Sequence, residues 1–407
     1  MVDDSARRAA ERIRLCTFLT LFGVGGTEKQ VVALLRRVDR SLFEPNLRCL
    51  RRWGPLLEEL EREYGPIPEY TIQNLYSPRT LCQQARLARG LRRGGVQVLH
   101  SYNFYANVFS VPAAKLAGVP CVIASIRDMG VYLTPRQQYV HKLACRFADR
   151  VVVNADAIRN WLVGQGYEAE RITVIPNGVD TARFSRAPGL EDLELRANLG
   201  VPRDAQLVVL LARLHPDKGI EQFLRAAASI SGGFRRAYFL IVGESFTGHG
   251  ESLRRDLDYP QRLLEQAHRL GIRERVRLTG FIADVPRLLA QAALSVLPSL
   301  SEGLSNTLLE SMAAGAPVVA TRVGGASEAI TDGEHGRLVA PADEPALARA
   351  MADLLSDPQQ ARRLGARARE RIGQRYSLER MVAATQDLYL SMLMSRSRKA
   401  RPGVALP

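Results

Sequence analysis

A chain of 407 residues is longer than one ordinary hydrophobic core supports, so two domains are expected. Apolar residues make up 46% and charged residues 24%, the balance of a soluble globular protein and not of a disordered one. The formal charge of +14 is uneven: residues 1–186 hold 27 Lys/Arg against 17 Asp/Glu, and the remainder only 29 against 25, which suits anionic substrates or an anionic membrane surface.

The opening MVDDSARRAAERIR lacks an apolar signal core, and no stretch of about 18 apolar residues follows it, so a cytoplasmic chain is expected. Five dispersed cysteines without a C-x-x-C pair read as buried thiols. From there, short apolar runs alternate with amphipathic helical stretches: RLCTFL, a helix at 28–40, VQVLH, a helix at 105–117, CVIASI, a helix at 134–147, RVVVN, a helix at 156–165, and ITVIP. This alternation predicts right-handed parallel units and a doubly wound sheet. The arginine-rich stretch 86–93 reads as a solvated helix face, and no interleaving of basic and aromatic residues points to nucleic acid.

After Pro-Asn-Gly-Val-Asp at 176–180 the pattern blurs to about residue 190, which places a domain boundary at 186/187. It restarts with AQLVVLLAR, RAYFLIVG, RVRLTG, LSVLP and PVVAT, each followed by or leading into a helical stretch. A second parallel sheet over 187–374 follows, then a helix at 375–395 that completes the first domain and a basic tail at 396–407. The expected class is α/β, with two Rossmann-like domains whose strand carboxyl ends border a central cleft. The glycine-punctuated segment between Gly243 and Pro260 reads as a surface insertion, with a mobile flap as the alternative.

The segment LPSLSEGLSNTLLESMAAGAPVVAT, 297–321, concentrates candidate chemistry. A strand ends at Pro298, a loop carries Glu302 and Gly303, and Ser305 is placed to cap a helix whose free N–H groups suit a phosphate. Glu310 sits inside that helix. In LLARLHPDKGIEQF, Arg213 ends a strand and Lys218 precedes a helix, a cation pair able to clamp a diphosphate. Near the start, LFGVGGTEKQ is a glycine-rich turn, but Glu28 stands where a dinucleotide fingerprint needs its third glycine.

Together these segments resemble the retaining GT-B glycosyltransferases of the large family four, which use nucleoside-diphosphate sugars. The resemblance spans nearly the whole chain: GGTE (25–28), PNGVD (176–180), ARLHPDKG (212–219), LIVGE (240–244), LTGF-x-x-DV (278–285), the 301–321 block and VGGASE (323–328). Glu302, seven residues and Glu310 match the family's E-x7-E motif. The resemblance implies a metal-independent transferase that needs no cofactor and moves a sugar to an acceptor hydroxyl with retention, in cell-envelope, exopolysaccharide or glycolipid synthesis. It also implies site residues. Gly25 and Gly26 approach the donor, Arg213 and Lys218 bind its diphosphate, and Glu302 contacts the sugar while Glu310 holds the ribose. Gly303, Leu304 and Ser305 complete the phosphate cradle, and Gly243 and Ile282 line the base.

On the acceptor side the candidates are Glu28 and Arg127, the latter standing where many members carry a histidine, and Tyr102, of an aromatic cluster at a strand end able to stack on a sugar. Pairing of Arg127 with Asp128 or Asp156 is the alternative role. A glycan or lipid-linked glycan is the expected acceptor, with peripheral docking of the N-terminal half through basic stretches such as 81–93. A nucleotide-sugar epimerase of the same architecture and a non-catalytic nucleotide-sugar-binding protein are the rival readings.

Overall fold

Buried parallel strands carry apolar side chains on both faces, and the Val-, Ile- and Leu-rich runs of this chain build two such sheets of six strands each. The computed structural model describes residues 12–23, 25–72, 74–75, 77–184, 192–247 and 254–400. The chain divides into two units, the first made of residues 1–176 and 379–407 and the second of Asn177–Leu378.

In the first unit the strands are β1 (Ile13–Leu19), β2 (Phe43–Cys49), β3 (Val98–Tyr102), β4 (Cys121–Ile126), β5 (Arg150–Val153) and β6 (Ile172–Val174), in the order β2-β1-β3-β4-β5-β6. Every pairing is parallel. Strand β2, FEPNLRC, is an edge strand absent from the sequence reading; Pro45 is tolerated because an edge needs hydrogen bonds on one side only.

The second unit contains β7 (Gln206–Leu211), β8 (Ala237–Val242), a small antiparallel ribbon of β9 (Phe246–Thr247) and β10 (Arg254–Arg255), then β11 (Val276–Gly280), β12 (Ala292–Leu297), β13 (Val318–Thr321) and β14 (Arg337–Val339). Its sheet runs β11-β8-β7-β12-β13-β14. The strand order reverses between β7 and β12, the topological switch point where open α/β sheets bind ligands. In the first unit the reversal falls between β1 and β3.

The division falls at Pro176/Asn177, earlier than the expected 186/187, because the PNGVD segment is tied into the second unit. Asn177 Nδ2 donates to Leu304 O at 2.8 Å and to Asn306 Oδ1 at 2.7 Å, and Val179 N donates to Tyr376 O at 2.8 Å. Residues 185–191, on which the expected boundary falls, lie outside the described residues, as do 248–253 of the proposed insertion. The last helix, Leu378–Ala400, continues past the expected stop at 395, so residues 396–400 are helical; 401–407 lie outside the described residues.

That helix packs into the first unit. Tyr389 is fully buried, with its hydroxyl 2.7 Å from His100 Nδ1 and its ring edge-on to Phe43. Gln386 Oε1 accepts from Asp39 N, and Arg396 pairs with Asp149 at 2.8 Å. His100 and His141 are both buried. Burial first, and then the charge of Arg127, pushes His100 down to about 3, and burial pushes His141 down to about 4.

Both histidines are therefore neutral in the folded protein at pH 6, whereas an unfolded histidine takes up a proton near pH 6.5. Below that value the unfolded chain binds more protons, so stability is full above about pH 6.5 and declines as pH falls towards the folded values. The expected outcome is a melting temperature flat from pH 8 to about 7 that drops between about pH 6.5 and 4.5, with a shallower drop in His141→Asn. Scanning calorimetry across that window checks it, and an equal slope in both proteins contradicts the assignment.

Candidate functional site

At the switch point of the second unit, β7 hands over to Arg213 and the turn Pro216–Lys218, and β12 hands over to Pro298 and the loop 299–305. Gly219 joins these two strand ends. It is left-handed, at φ +67, and a side-chain carbon there would overlap the Pro298 carbonyl, so only glycine lets the backbones approach this closely. Leu300 N donates to Asp217 O at 2.7 Å across the same seam.

The seam places Lys218 against Glu302, with Nζ 2.7 Å from Oε1 and 3.3 Å from Asp217 Oδ2. Ser299 Oγ donates to the same Glu302 oxygen at 2.9 Å, and Thr321 Oγ1 holds the Ser299 carbonyl. His215 in turn hydrogen-bonds Asp217. Arg213 is exposed at the strand end and pairs with no carboxylate among the described residues. The helix Asn306–Ala313 begins directly after the loop, where Ser305 Oγ accepts from Leu308 N at 3.3 Å. Glu310 is half-buried in its second turn.

Neighbouring turns complete this edge. Gly243 follows β8 at φ +140 with its amide on Gly280 O, and a side chain there would overlap the Ala212 carbonyl. Ile282 packs beneath, against the core of Leu207, Val209 and Val242. Three contributors carried no role in the sequence reading: Ser299, Asn177 and Gly324. Gly324, left-handed at φ +49, lies against the carbonyls of Glu302 and Gly303, and Gly325 N donates to Gly303 O at 2.6 Å. The motifs PNGVD and VGGASE carried the signal for two of them, since each braces the loop that presents Glu302.

In the first unit the switch point brings Glu28, Tyr102 and Arg127 into one electrostatic neighbourhood. Burial pulls the Arg127 guanidinium below its usual range, while Tyr102 and Glu28 oppose the shift. Tyr102 is buried, stacked on His100 at 4.3 Å, so the aromatic of this segment that reaches the surface is Tyr105. The helix Gly26–Arg37 starts after Gly25, and a side-chain carbon at Gly25 would strike the Glu28 carboxylate, which folds back over it. Gly26 is exposed at the first position of the helix, and Val24 lies outside the described residues. Asn103 follows β3 at φ +65 and donates to Thr27 Oγ1 at 3.3 Å.

A cavity of about 430 Å³ opens beside this point, lined by Asn103, Tyr105, Asp128, Tyr132, Tyr139 and Trp161 among others. Burial raises the Asp128 carboxyl above its usual range although Oδ1 accepts from Gly130 N. A larger cavity of about 980 Å³ lies at the amino-terminal edge of the second sheet, by Gln206, Ala292 and Pro317. It holds none of the candidate site residues named from the sequence, and a parallel sheet binds ligands at its other edge.

Residues 24–183 match the model of Glycosyltransferase Family 4, and residues 191–371 match that of Glycosyl transferases group 1. A D-inositol 3-phosphate glycosyltransferase of Catenulispora acidiphila is 35% identical, over 90% of each chain. The chain belongs to family 4 of the glycosyltransferases. Another relative, the UDP-Gal:α-D-GlcNAc-diphosphoundecaprenol α-1,3-galactosyltransferase of Escherichia coli, is 25% identical over 92% of this chain and 95% of its own. The fold is that of HepE from Anabaena, solved in complex with UDP, at a TM-score of 0.80 and 24% identity, covering 93% of this chain and all of that one. The two parallel sheets give this glycosyltransferase the GT-B fold.

The seam gives a stability prediction specific to its geometry. Gly219→Ala is expected to cost at least about 2 kcal/mol, the left-handed penalty of about 1–2 kcal/mol plus displacement of a strand end. Gly271→Ala, equally left-handed at φ +70 but with open space around the added carbon, should cost only that penalty. Urea denaturation of both variants checks the difference, and equal losses would remove the backbone collision from the account.

Proposed function

We propose that the chain transfers a hexose from a nucleoside-diphosphate sugar to the hydroxyl of a glycan or lipid-linked glycan, with retention at the anomeric carbon. The observation that carries this reading is the Lys218–Glu302 pair, 2.7 Å apart at the foot of the Ser305-capped helix. It stands at the ligand edge of the second sheet with Arg213 nearby in sequence. An arriving diphosphate would draw Lys218 and Arg213 to its oxygens and release Glu302 to the sugar hydroxyls. The helix N–H groups after Gly303 and Leu304 would hold the remaining phosphate charge.

In the reaction the bond from C1 of the sugar to the diphosphate oxygen breaks and a bond from C1 to the acceptor oxygen forms on the same face. The acceptor proton passes to the departing diphosphate oxygen. Glu302 orients the sugar and forms no bond to it, unlike the nucleophilic carboxylate of a retaining glycosidase. Arg213 and Lys218 supply the positive charge the leaving group needs, and on this reading a chelator leaves turnover unchanged. Glu310 would hold the ribose, with Gly243 and Ile282 beside the base.

Support for a uridine donor comes from relatives: HepE was solved with UDP and with UDP-glucose, and the E. coli enzyme is named for UDP-Gal and a diphosphoundecaprenol acceptor. The acceptor would occupy the aromatic cavity of the first unit, bordered by Asp128 and Tyr105, in the assembly of a cell-surface glycan or glycolipid. The relatives from Escherichia coli and Catenulispora acidiphila are both named as transferases, which disfavours the epimerase reading.

Lys218→Ala and Arg213→Ala are each expected to lower turnover by roughly a hundredfold to a thousandfold with folding intact. Glu302→Gln should lower kcat more than donor affinity. Steady-state assays with UDP-glucose and UDP-galactose, and the anomeric proton coupling of the product, read these outcomes. An inverted product removes retention, and nucleotide binding without turnover of any donor favours the non-catalytic rival.

A further inference from the structure

Helices on the surface of a soluble domain turn charged side chains to water, and the helix Pro135–Cys145 of the first unit does the reverse. Its inner face, with His141, Ala144 and Cys145, is buried. Its outer face presents Tyr139 at 68% exposure, Leu143 at 45% and, on the turn that continues it, Phe147 at 50%. Spacing of four residues lines these three along one side of the helix. The turn is continuous: Arg146 N donates to Lys142 O and Phe147 N to Ala144 O, both at 3.1 Å.

The charges that this helix and its flanking turns carry are all positive, and the exposed Glu168, which Arg171 ties close to the Arg146 carbonyl, is itself paired with Arg171 at 2.8 Å. Arg136 and Arg146 are exposed beside the apolar ridge, and residues 129–148 contain no Asp or Glu. The next acid, Asp149, is occupied by Lys115 at 2.6 Å and Arg396 at 2.8 Å. We propose that this ridge docks on an anionic phospholipid surface, with Leu143 and Phe147 entering the headgroup boundary and Arg136 and Arg146 meeting the phosphates.

The ridge is rigid enough to serve. A reciprocal cap between Thr134 and Gln137 fixes the start of the helix, Gln138 Nε2 donates to Gly130 O, and Lys142 Nζ donates to Gln165 O at 2.7 Å. The charge-rich helix Pro78–Arg93, which the sequence singled out for this role, lacks such a ridge. Its exposed side is arginine with Leu81 as the one large apolar residue, which suits water as well as lipid. Tyr139 also lines the 430 Å³ cavity, so docking would bring a membrane-embedded acceptor to its rim. That last connection rests on the transfer reaction proposed above; the docking does not.

The test is co-sedimentation of the full chain with vesicles of phosphatidylcholine alone and with about one third phosphatidylglycerol, at low and high salt. About tenfold stronger binding to the anionic vesicles at low salt is expected, fading at high salt. The double variant Leu143→Asp/Phe147→Asp, whose circular dichroism should match the wild type because both side chains are exposed, should lose about tenfold. Leu81→Asp should bind as the wild type does. No preference for anionic vesicles, as expected if the ridge serves a protein partner, or undiminished binding of the double variant, overturns the proposal. Donor turnover is measured alongside: its failure in a wild-type chain that still binds vesicles sinks the transfer reading and leaves the surface standing.

Discussion

Two backbones in contact, Gly219 against the Pro298 carbonyl, set the geometry on which the candidate site of the second unit depends. Adjacent parallel strands lie about 4.8 Å apart, too near for side chains from their loops to share a site unless the loops themselves are compact. The left-handed glycine removes the one atom that would push the loops apart. Lys218 then meets Glu302 without either side chain stretching, and Ser299, Thr321 and Gly324 hold the opposing loop from behind. An ion pair at this depth, with both side chains roughly one-fifth exposed or less, contributes little net stability. Its value lies in keeping two opposite charges preorganised a hydrogen bond apart.

The backbone arrangement at this edge of the second unit was legible in the sequence because its determinants are local. Lys218-Gly219, Glu302-Gly303 and Ser305 lie within a few residues of strand ends whose apolar runs are unambiguous, and alternation alone supplied the parallel sheet. What escaped was whatever depends on distant partners. Strand β2 is hidden by Glu44 and Pro45, and only its register with β1, Ile13 against Phe43, makes it a strand. The boundary was placed late because polarity marks a loop but not its allegiance, and Asn177 belongs with Leu304, which no window around residue 177 contains.

The first unit shows the same limit at its own switch point. Glu28, Tyr102 and Arg127 share one electrostatic neighbourhood, yet burial sets them apart: Tyr102 stacks inside on His100 while Tyr105 takes the surface. Aromatic residues three apart at a strand-to-helix junction look equivalent in sequence. A single left-handed residue, Asn103, turns the chain between them and decides which faces solvent.

The crossing of the last helix into the first unit bears on how the protein is made. A ribosome delivers residues 1–176 first, with β1 through β6 all present, but the surface that Tyr389 and Met392 fill stays uncovered until the final stretch emerges. The second unit, continuous from Asn177 to Leu378, has every one of its strands in hand before then. The half synthesised first is therefore the half finished last, and a chain truncated just after Leu378 leaves the ribosome with one complete domain and one open core.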